Sequence, residues 1–540
     1  MATEQSPPAR KNLLLPTQER WPLDPSKPVI QLVDVSISFG DKKVLDKLSI
    51  DIIPGRTTVI VGRSGSGKSV LLKLMMGLLK PDSGKVFLFG NDLAEIKPLE
   101  TIELRKRMGM LFQNYALFDA LSVQDNVGFT LTENSEMKPK DIQPLAHELI
   151  RILNLVGSEK LLPSELSGGM KKRVSLARSL ISNPEVVLFD EPTTGLDPIM
   201  IAQVDEMIAL AKSQYQITSV IISHDMASTK RLADTVAYLN EGKIIFEGTY
   251  EEFLASQLPA IRAFVDGAGT SRLERVEAGA SRPSQVEVPV VTDEPSIELV
   301  DIYKTFGKKP VLRGVNLPIY PKKTTVLIGS SGSGKSVIIK HIMGLFKPDS
   351  GEIRVFGKDI VPLNELEMND VRQNFGLLFQ HAALLDWLPV CENVAFPLRE
   401  RTKLSKGEIS DQVDEMLERT HIADIKYRMP GEISEGQKKR VGLARAMIMK
   451  PRIMIYDEPT TGQDPLRTRD IDNMIQETQA HYDITSIVIS HDMASTFRIA
   501  HMIALLNKGE IAAYGTPAQV RASPNAHVQS FIHAGSVETH

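Results

Sequence analysis

The chain has 540 residues, with 63 Lys and Arg against 67 Asp and Glu, a formal net charge of -4. Its hydrophobic (42 %) and charged (24 %) fractions are those of a folded globular protein, and the balance excludes a strongly basic chain held to nucleic acid by bulk charge. One cysteine, Cys391, excludes an intrachain disulfide and a cysteine-built zinc or iron–sulfur site, and it suits a reducing compartment.

Residues 1–28 are proline-rich with little periodicity and read as a disordered arm. Their longest apolar run, Leu13 to Leu15, is too short for a signal-peptide core. No stretch of the chain approaches the ~18 consecutive apolar residues of a transmembrane helix. The expectation is a cytoplasmic protein, with any membrane span supplied by another chain.

From residue 29 onward the coarse pattern is α/β. IQLVDVSISF (30–39) and TTVIVG (57–62) read as strands, and SVLLKLMMGLL (69–79) reads as a helix after a glycine-rich loop. VVLFDEP and ITSVIISHD are short apolar runs ending in polar residues, as buried parallel strands do. Chemistry is expected at the carboxyl ends of such strands.

The pattern then repeats. GRSGSGKS starts at Gly62 and GSSGSGKS at Gly329, an offset of 267 residues. Gln113 and Gln380, Ser167 and Ser434, Asp190 and Asp457, and His224 and His491 keep that offset without drift. Such agreement means duplication and fusion. The length alone would suggest three or four domains at ~150 residues each; the repeat reduces this to two. The first spans 29–267 and the second 296–540. Residues 268–295, rich in Gly, Ser, Pro and Glu, read as a flexible linker.

Both glycine loops fit G-x-x-x-x-G-K-[ST] between a strand and a helix. Backbone N–H groups of Gly62, Arg63, Ser64, Gly65, Ser66 and Gly67, and of Gly329, Ser330, Ser331, Gly332, Ser333 and Gly334, can turn inward around phosphates. The helix N-terminus adds a favourable dipole. Lys68 and Lys335 are placed to contact the β- and γ-phosphates of ATP, and Ser69 and Ser336 to ligate Mg²⁺. Asp190 and Asp457 end apolar strands and are expected to hold Mg²⁺ directly or through water. Glu191 and Glu458, next along, would orient or deprotonate the attacking water. His224 and His491 can donate to the γ-phosphate. Gln113 and Gln380 either reach the metal and water or are surface residues. Phe39 and Phe306 end the first strand of each domain, where each ring either stacks on adenine or packs in the core.

Together with LSGGMKKRVSLARSL (166–180) and ISEGQKKRVGLARAM (433–447), about twenty residues before each Asp–Glu strand, these motifs resemble an ABC ATPase, twice. The resemblance implies two nucleotide-binding domains in tandem, each with a mixed, mainly parallel sheet and a helical subdomain. It also implies a head-to-tail sandwich of two ATP molecules. One site would use Lys68, Ser69, Asp190, Glu191 and His224, completed by Ser434, Gly436 and Gln437. The other would use Lys335, Ser336, Asp457, Glu458 and His491, completed by Ser167, Gly168 and Gly169. Glu435, where the family has glycine, either weakens closure by repulsion or points to water.

LSGGM, with Met170 in place of the usual Gln, is similar to the Mla/Mce-type lipid transporter ATPases. So are LFQNYALFDALSVQDNVGF and LFQHAALLDWLPVCENVAF, with SHDM further on. This implies a separate membrane permease dimer, with further envelope lipid-binding or regulatory subunits, and a peripheral position on the inner face of the membrane. Leu117, Phe118, Leu121, Leu384, Leu385, Trp387 and Leu388 would then either line the groove for a permease helix or pack in the helical subdomain. A transporter for another solute shares most of these motifs. A ribosome-associated ABC-F-like protein would carry a long charged interdomain arm, which the short, proline-broken linker does not resemble.

Overall fold

The computed structural model describes Asp24 and residues 26–268, 294–380 and 382–534. Most of the expected N-terminal arm, nearly all of the expected linker and residues 535–540 of the C-terminal tail lie outside the described residues. The chain divides into two units. One runs to Thr193 and includes Gln203–Ser256; the other holds Thr194–Ala202 and Gln257 onward.

Among the described residues the first unit has ten strands: β1 Ile30–Phe39, β2 Lys42–Ile52, β3 Thr57–Gly62, β4 Ser83–Leu88, β5 Asn91–Asp92, β6 Met108–Leu111, β7 Val186–Asp190, β8 Thr218–Ile222, β9 Thr235–Asn240 and β10 Lys243–Gly248. A six-stranded sheet has the order β10-β9-β3-β8-β7-β6, and a four-stranded sheet the order β2-β1-β4-β5. The large sheet is parallel except for β10, which runs antiparallel to β9. The small sheet is antiparallel throughout. The apolar runs read from the sequence sit where burial is complete: every residue of β3 and β8, and all of β7 except Asp190, is buried. Continuous rather than alternating apolar character is what a parallel strand covered on both faces needs.

Helix Lys68–Met75 packs Leu71, Leu72 and Met75 between the two sheets, against Leu32 and Leu48 of one and Ile60 and Leu188 of the other. A second layer of helices, Val123–Asn134, Pro139–Ile152 and Gly168–Leu180, forms the helical subdomain. The middle helix is strongly amphipathic, burying Ile142, Ala146, Leu149 and Ile150 on one face.

The second unit repeats the arrangement with β11 Ile297–Phe306, β12 Lys309–Ile319, β13 Thr324–Gly329, β14 Ser350–Val355, β15 Lys358–Asp359, β16 Phe375–Leu378, β17 Ile453–Asp457, β18 Thr485–Ile489, β19 Met502–Asn507 and β20 Glu510–Gly515. Its sheets have the orders β16-β17-β18-β13-β19-β20 and β12-β11-β14-β15. Helices Val390–Arg401, Lys406–Arg419 and Glu435–Met447 form its helical subdomain. Val394, Val413, Leu417 and Ala444 pack there in one cluster with Tyr456 and Val488 of the sheet.

In each unit the register brings three strand ends to one edge. β3 pairs with β8 through Ile60 and Ile222, and β8 pairs with β7 through Ile222 and Asp190. In the second unit Leu327 pairs with Ile489, and Ile489 with Asp457. The glycine loop, the Asp–Glu pair and the Ser–His pair therefore all leave the sheet at its carboxyl edge.

Candidate nucleotide site

The glycine loops take a backbone course that only glycine follows easily. Gly62, Gly65 and Gly67 have φ of +158°, +80° and +104°, and Gly329, Gly332 and Gly334 have +150°, +75° and +112°. A Cβ on Gly62 would lie 2.3 Å from the Leu239 carbonyl oxygen, and one on Gly329 2.1 Å from that of Leu506. Lys68 is 7 % exposed, and its Nζ donates to the carbonyls of Gly62 (2.8 Å) and Arg63 (2.9 Å). Lys335 does the same with Gly329 (2.8 Å) and Ser330 (3.1 Å). Each ammonium is thus parked in the curl of its loop. Ser66 Oγ and Ser333 Oγ are buried there without a hydrogen-bond partner. An orphaned hydroxyl beside a preorganised lysine fits a phosphate.

Burial raises the Asp190 carboxyl above the usual range, with Glu191 adding to it, while Lys68, Lys73 and a hydrogen bond from Ser69 oppose. The same holds for Asp457, raised by burial and Glu458 and opposed by Lys335 and Lys340. A cation would reverse these shifts, and the Ser–Asp pairing is the donor set Mg²⁺ takes. Glu191 and Glu458 follow at φ +49° and +48°, the left-handed region a glutamate rarely occupies. Their N–H groups donate to Ile222 and Ile489 at 3.1 Å.

The histidines meet these glutamates. His224 Nδ1 lies 3.3 Å from Glu191 Oε2, and His491 Nε2 lies 2.9 Å from Glu458 Oε1. Burial favours the neutral His224 ring, yet the Glu191 charge and hydrogen bond lift its pKa above the usual value. For Glu458 burial pushes upward, but the hydrogen bond and charge of His491, with Thr461 and Lys335, hold it below the usual glutamate value. Glu458 is therefore a carboxylate at neutral pH, the form that can orient or deprotonate water.

The remaining candidates are more loosely placed. Gln113 is exposed and Gln380 half-buried, each just beyond β6 or β16. Phe39 is 51 % exposed; Phe306, 42 % exposed, packs edge-on against Phe346 at 5.5 Å. Ser167 and Ser434 cap the helices Gly168–Leu180 and Glu435–Met447. Gln437 closes a capping box by accepting from the Ser434 N–H (2.9 Å); Met170 cannot. Gly168 and Gly169, and Gly436, lie in the first turns. Glu435 Oε1 is paired with Lys438 Nζ at 2.6 Å and its side chain is 55 % exposed. This favours the solvent-facing reading. Glu435→Gly is expected to change ATP turnover by less than about fivefold, checked by steady-state hydrolysis.

The structure adds residues the sequence reading did not single out. Lys172 and Lys439, 1 % and 4 % exposed, donate to the carbonyls of Pro192 and Pro459. Burial pushes Lys172 down to about 7, with Glu191 opposing, and Lys439 to about 8, with Glu435 opposing. Asn126, fully buried, accepts from the Phe118 N–H (2.9 Å) and donates to the carbonyls of Phe118 (3.0 Å) and Leu121 (2.9 Å). Asn393 does the same for Leu385 and Leu388. These asparagines fix the loops after the glutamines and leave Phe118 and Trp387 exposed, while Leu117, Leu121, Leu384, Leu385 and Leu388 are half-buried. Their signal was the shared Asn-Val at the 267-residue offset.

Asp205 and Asp472 are a further pair, 1 % and 0 % exposed. Asp205 accepts from Ser228 (2.9 Å) and Arg231 (2.8 Å), and Asp472 from Ser495 (2.5 Å) and Arg498. Each holds the helix that starts just after the site histidine. Burial raises Asp472 to about 7. The folded state then keeps a proton that the unfolded chain has released, so this group's stabilisation is lost as pH rises from about 4 to about 7. Asp472→Asn is expected to flatten the fall of stability over that window by up to roughly 1 kcal/mol per pH unit, measured by thermal unfolding.

A strand-end glycine loop, an acid pair and a histidine at one sheet edge define a phosphate-loop nucleotide hydrolase site. The sequence profile of the ABC transporter family matches residues 45–194 and 312–461, and the chain belongs to that family. Its two cassettes bind ATP with Mg²⁺ and hydrolyse it, and proteins of this kind work with membrane permease subunits. The chain is similar to a putative ABC transporter ATP-binding protein of Bacillus cereus (30 % identity, covering 91 % of each chain). It is also similar to the peptidoglycan transport ATP-binding protein YejF of Agrobacterium fabrum (27 % identity, 92 % of this chain and 94 % of that one). A third relative is the chloroplastic protein trigalactosyldiacylglycerol 3 of Arabidopsis thaliana, 41 % identical over 267 residues, which are 46 % of this chain and 77 % of the relative. No helix among the described residues is long and apolar enough to cross a membrane.

Proposed function

We propose that this chain is the ATPase of a transporter that moves phospholipid or a related lipid across the cell envelope, one chain serving one permease dimer from the inner face of the membrane. The observation that carries the lipid reading is the 41 % identity, over a cassette's length, to a relative that bears a galactolipid's name. The Mla/Mce-like LSGGM and the segments after the glutamines support it. The peptidoglycan-transport relative favours a second reading, a permease for another solute.

In the proposed cycle, ATP binding draws the two halves together and hydrolysis resets them. Lys68 and Lys335 neutralise the phosphates. Glu191 and Glu458 orient the attacking water and accept its proton, and His224 and His491 hold those carboxylates and reach toward the γ-phosphate. Ser69 with Asp190, and Ser336 with Asp457, would hold Mg²⁺, with Gln113 and Gln380 nearby; the ion would offset charge on the transferring phosphoryl group.

The test is affinity purification of the full chain, tagged at its N-terminus, from native membranes in mild detergent, followed by mass spectrometry. A polytopic permease with an envelope lipid-binding partner is the expected result. A permease for another solute would replace the lipid reading. Ribosomal proteins without any integral membrane protein would overturn transport altogether.

A further inference from the structure

We propose that Lys172 and Lys439 are positioning residues for ATP hydrolysis: each pins the carbonyl one residue beyond Glu191 or Glu458 to the signature helix and so fixes where that carboxylate points.

The argument starts from the turn. Glu191 and Glu458 sit in the left-handed region, φ +49° and +48°, at the point where the chain leaves the sheet. A non-glycine residue keeps such a conformation only where its surroundings over-determine it. On one side the glutamate N–H is fastened to Ile222 or Ile489 at 3.1 Å. The next residue is proline, which has no N–H to fasten. What remains is its carbonyl, and that is where Lys172 or Lys439 donates.

The residue type is costly for a merely structural role. A lysine carries three donors and no acceptor, and a nearly inaccessible ammonium has lost most of its hydration. Packing alone would be served by methionine or leucine in that space. The same geometry occurs in both units, at residues 20 positions apart in each. Burial depresses both lysines, and Glu191 acts back on Lys172, which places that charge within the field of the carboxylate.

The helix bearing each lysine is itself held at a second point. Arg178 donates to the carbonyls of Ala116 (2.6 Å) and Tyr115 (2.9 Å), and Arg445 to those of Ala383 (2.7 Å) and Ala382 (2.6 Å). These four residues also have positive φ, in the loops that follow Gln113 and Gln380. One rigid helix in each unit thus connects the glutamine loop at one end to the turn carrying the glutamate at the other.

This inference rests on Glu191 and Glu458 being the water-activating carboxylates. The experiment compares the full chain with Lys172→Met/Lys439→Met, and with Glu191→Gln/Glu458→Gln run in parallel. Steady-state hydrolysis, affinity for a fluorescent ATP analogue and melting temperature are read for each. The lysine variant is expected to lose about tenfold to a hundredfold in kcat, the scale of a small misplacement of a reacting group. Its KM and analogue affinity should stay within about twofold, because the phosphate loop is untouched. Unchanged kcat, or a loss that disappears once activity is normalised to folded protein, overturns the positioning role. Should the Met pair not fold, the single variants Lys172→Met and Lys439→Met, which likewise lack any donor, carry the same comparison, with equal kcat again overturning it. If the glutamine variant hydrolyses ATP normally, the underlying reading of the carboxylates fails, and the positioning role with it. If the glutamine variant is inactive while the lysine variant is not, only the positioning role fails.

Discussion

Glu191→Gln together with Glu458→Gln is expected to lower ATP turnover by on the order of 10²–10⁴ while leaving ATP binding intact. The amide keeps the size of the side chain and cannot take a proton. The phosphate loops, with Lys68 and Lys335 bonded to their own loop carbonyls, are not touched by either change. The single variants are informative because the two glutamates are held differently. Glu458 is 2.9 Å from His491 and accepts from Thr461 at 3.1 Å, and Glu191 is 3.3 Å from His224. Rapid-quench measurement of one turnover, compared with the steady state, separates loss of chemistry from loss of binding. Retained turnover in the double variant would remove both glutamates from the mechanism.

The second large effect is on binding. Lys68→Ala with Lys335→Ala is expected to weaken ATP binding by roughly 10- to 100-fold, the worth of a charge-assisted hydrogen bond to phosphate. The loss has two parts: a missing ammonium at the phosphates, and loop carbonyls left without the donor that shaped the curl. Lys68→Arg should not restore it, since a planar fork does not fit a space built for a point charge. Burial pushes Lys335 down to about 8, with Glu458 opposing, so the free second site loses this proton as pH rises through that value. ATP affinity there should accordingly fall between about pH 8 and 9, since only the protonated form attracts the phosphates. Equilibrium binding of a fluorescent ATP analogue across that range checks both expectations; no loss of affinity in the double variant would mean that neither lysine holds phosphate.

Much of this molecule was legible in one dimension because its chemistry is carried by contiguous segments. A phosphate loop needs its glycines, lysine and serine in one turn between a strand and a helix, so the pattern and the fold are nearly the same statement. The Asp–Glu and Ser–His pairs each end an apolar run that can only be a buried strand, and the 267-residue offset marks every one of them twice. The two ATPase cassettes, their strand edges and their phosphate loops followed from the sequence for that reason.

Tertiary structure decided how those segments hold one another. Lys172 lies 20 residues from Pro192, Arg178 lies 62 from Ala116, and Asp205 lies 26 from Arg231. In sequence each looks like an ordinary charged residue of an amphipathic helix. Only packing shows that they are buried and committed to backbone or to each other. Glu435 shows the converse: it stands out in sequence as a carboxylate in a glycine position, yet it is exposed and paired with Lys438. Motif chemistry is local and survives translation into a string of letters. Burial and the charged or hydrogen-bonding partners packed beside a group together set the cost of its charge and the direction of its pKa, and both depend on what the rest of the chain places there.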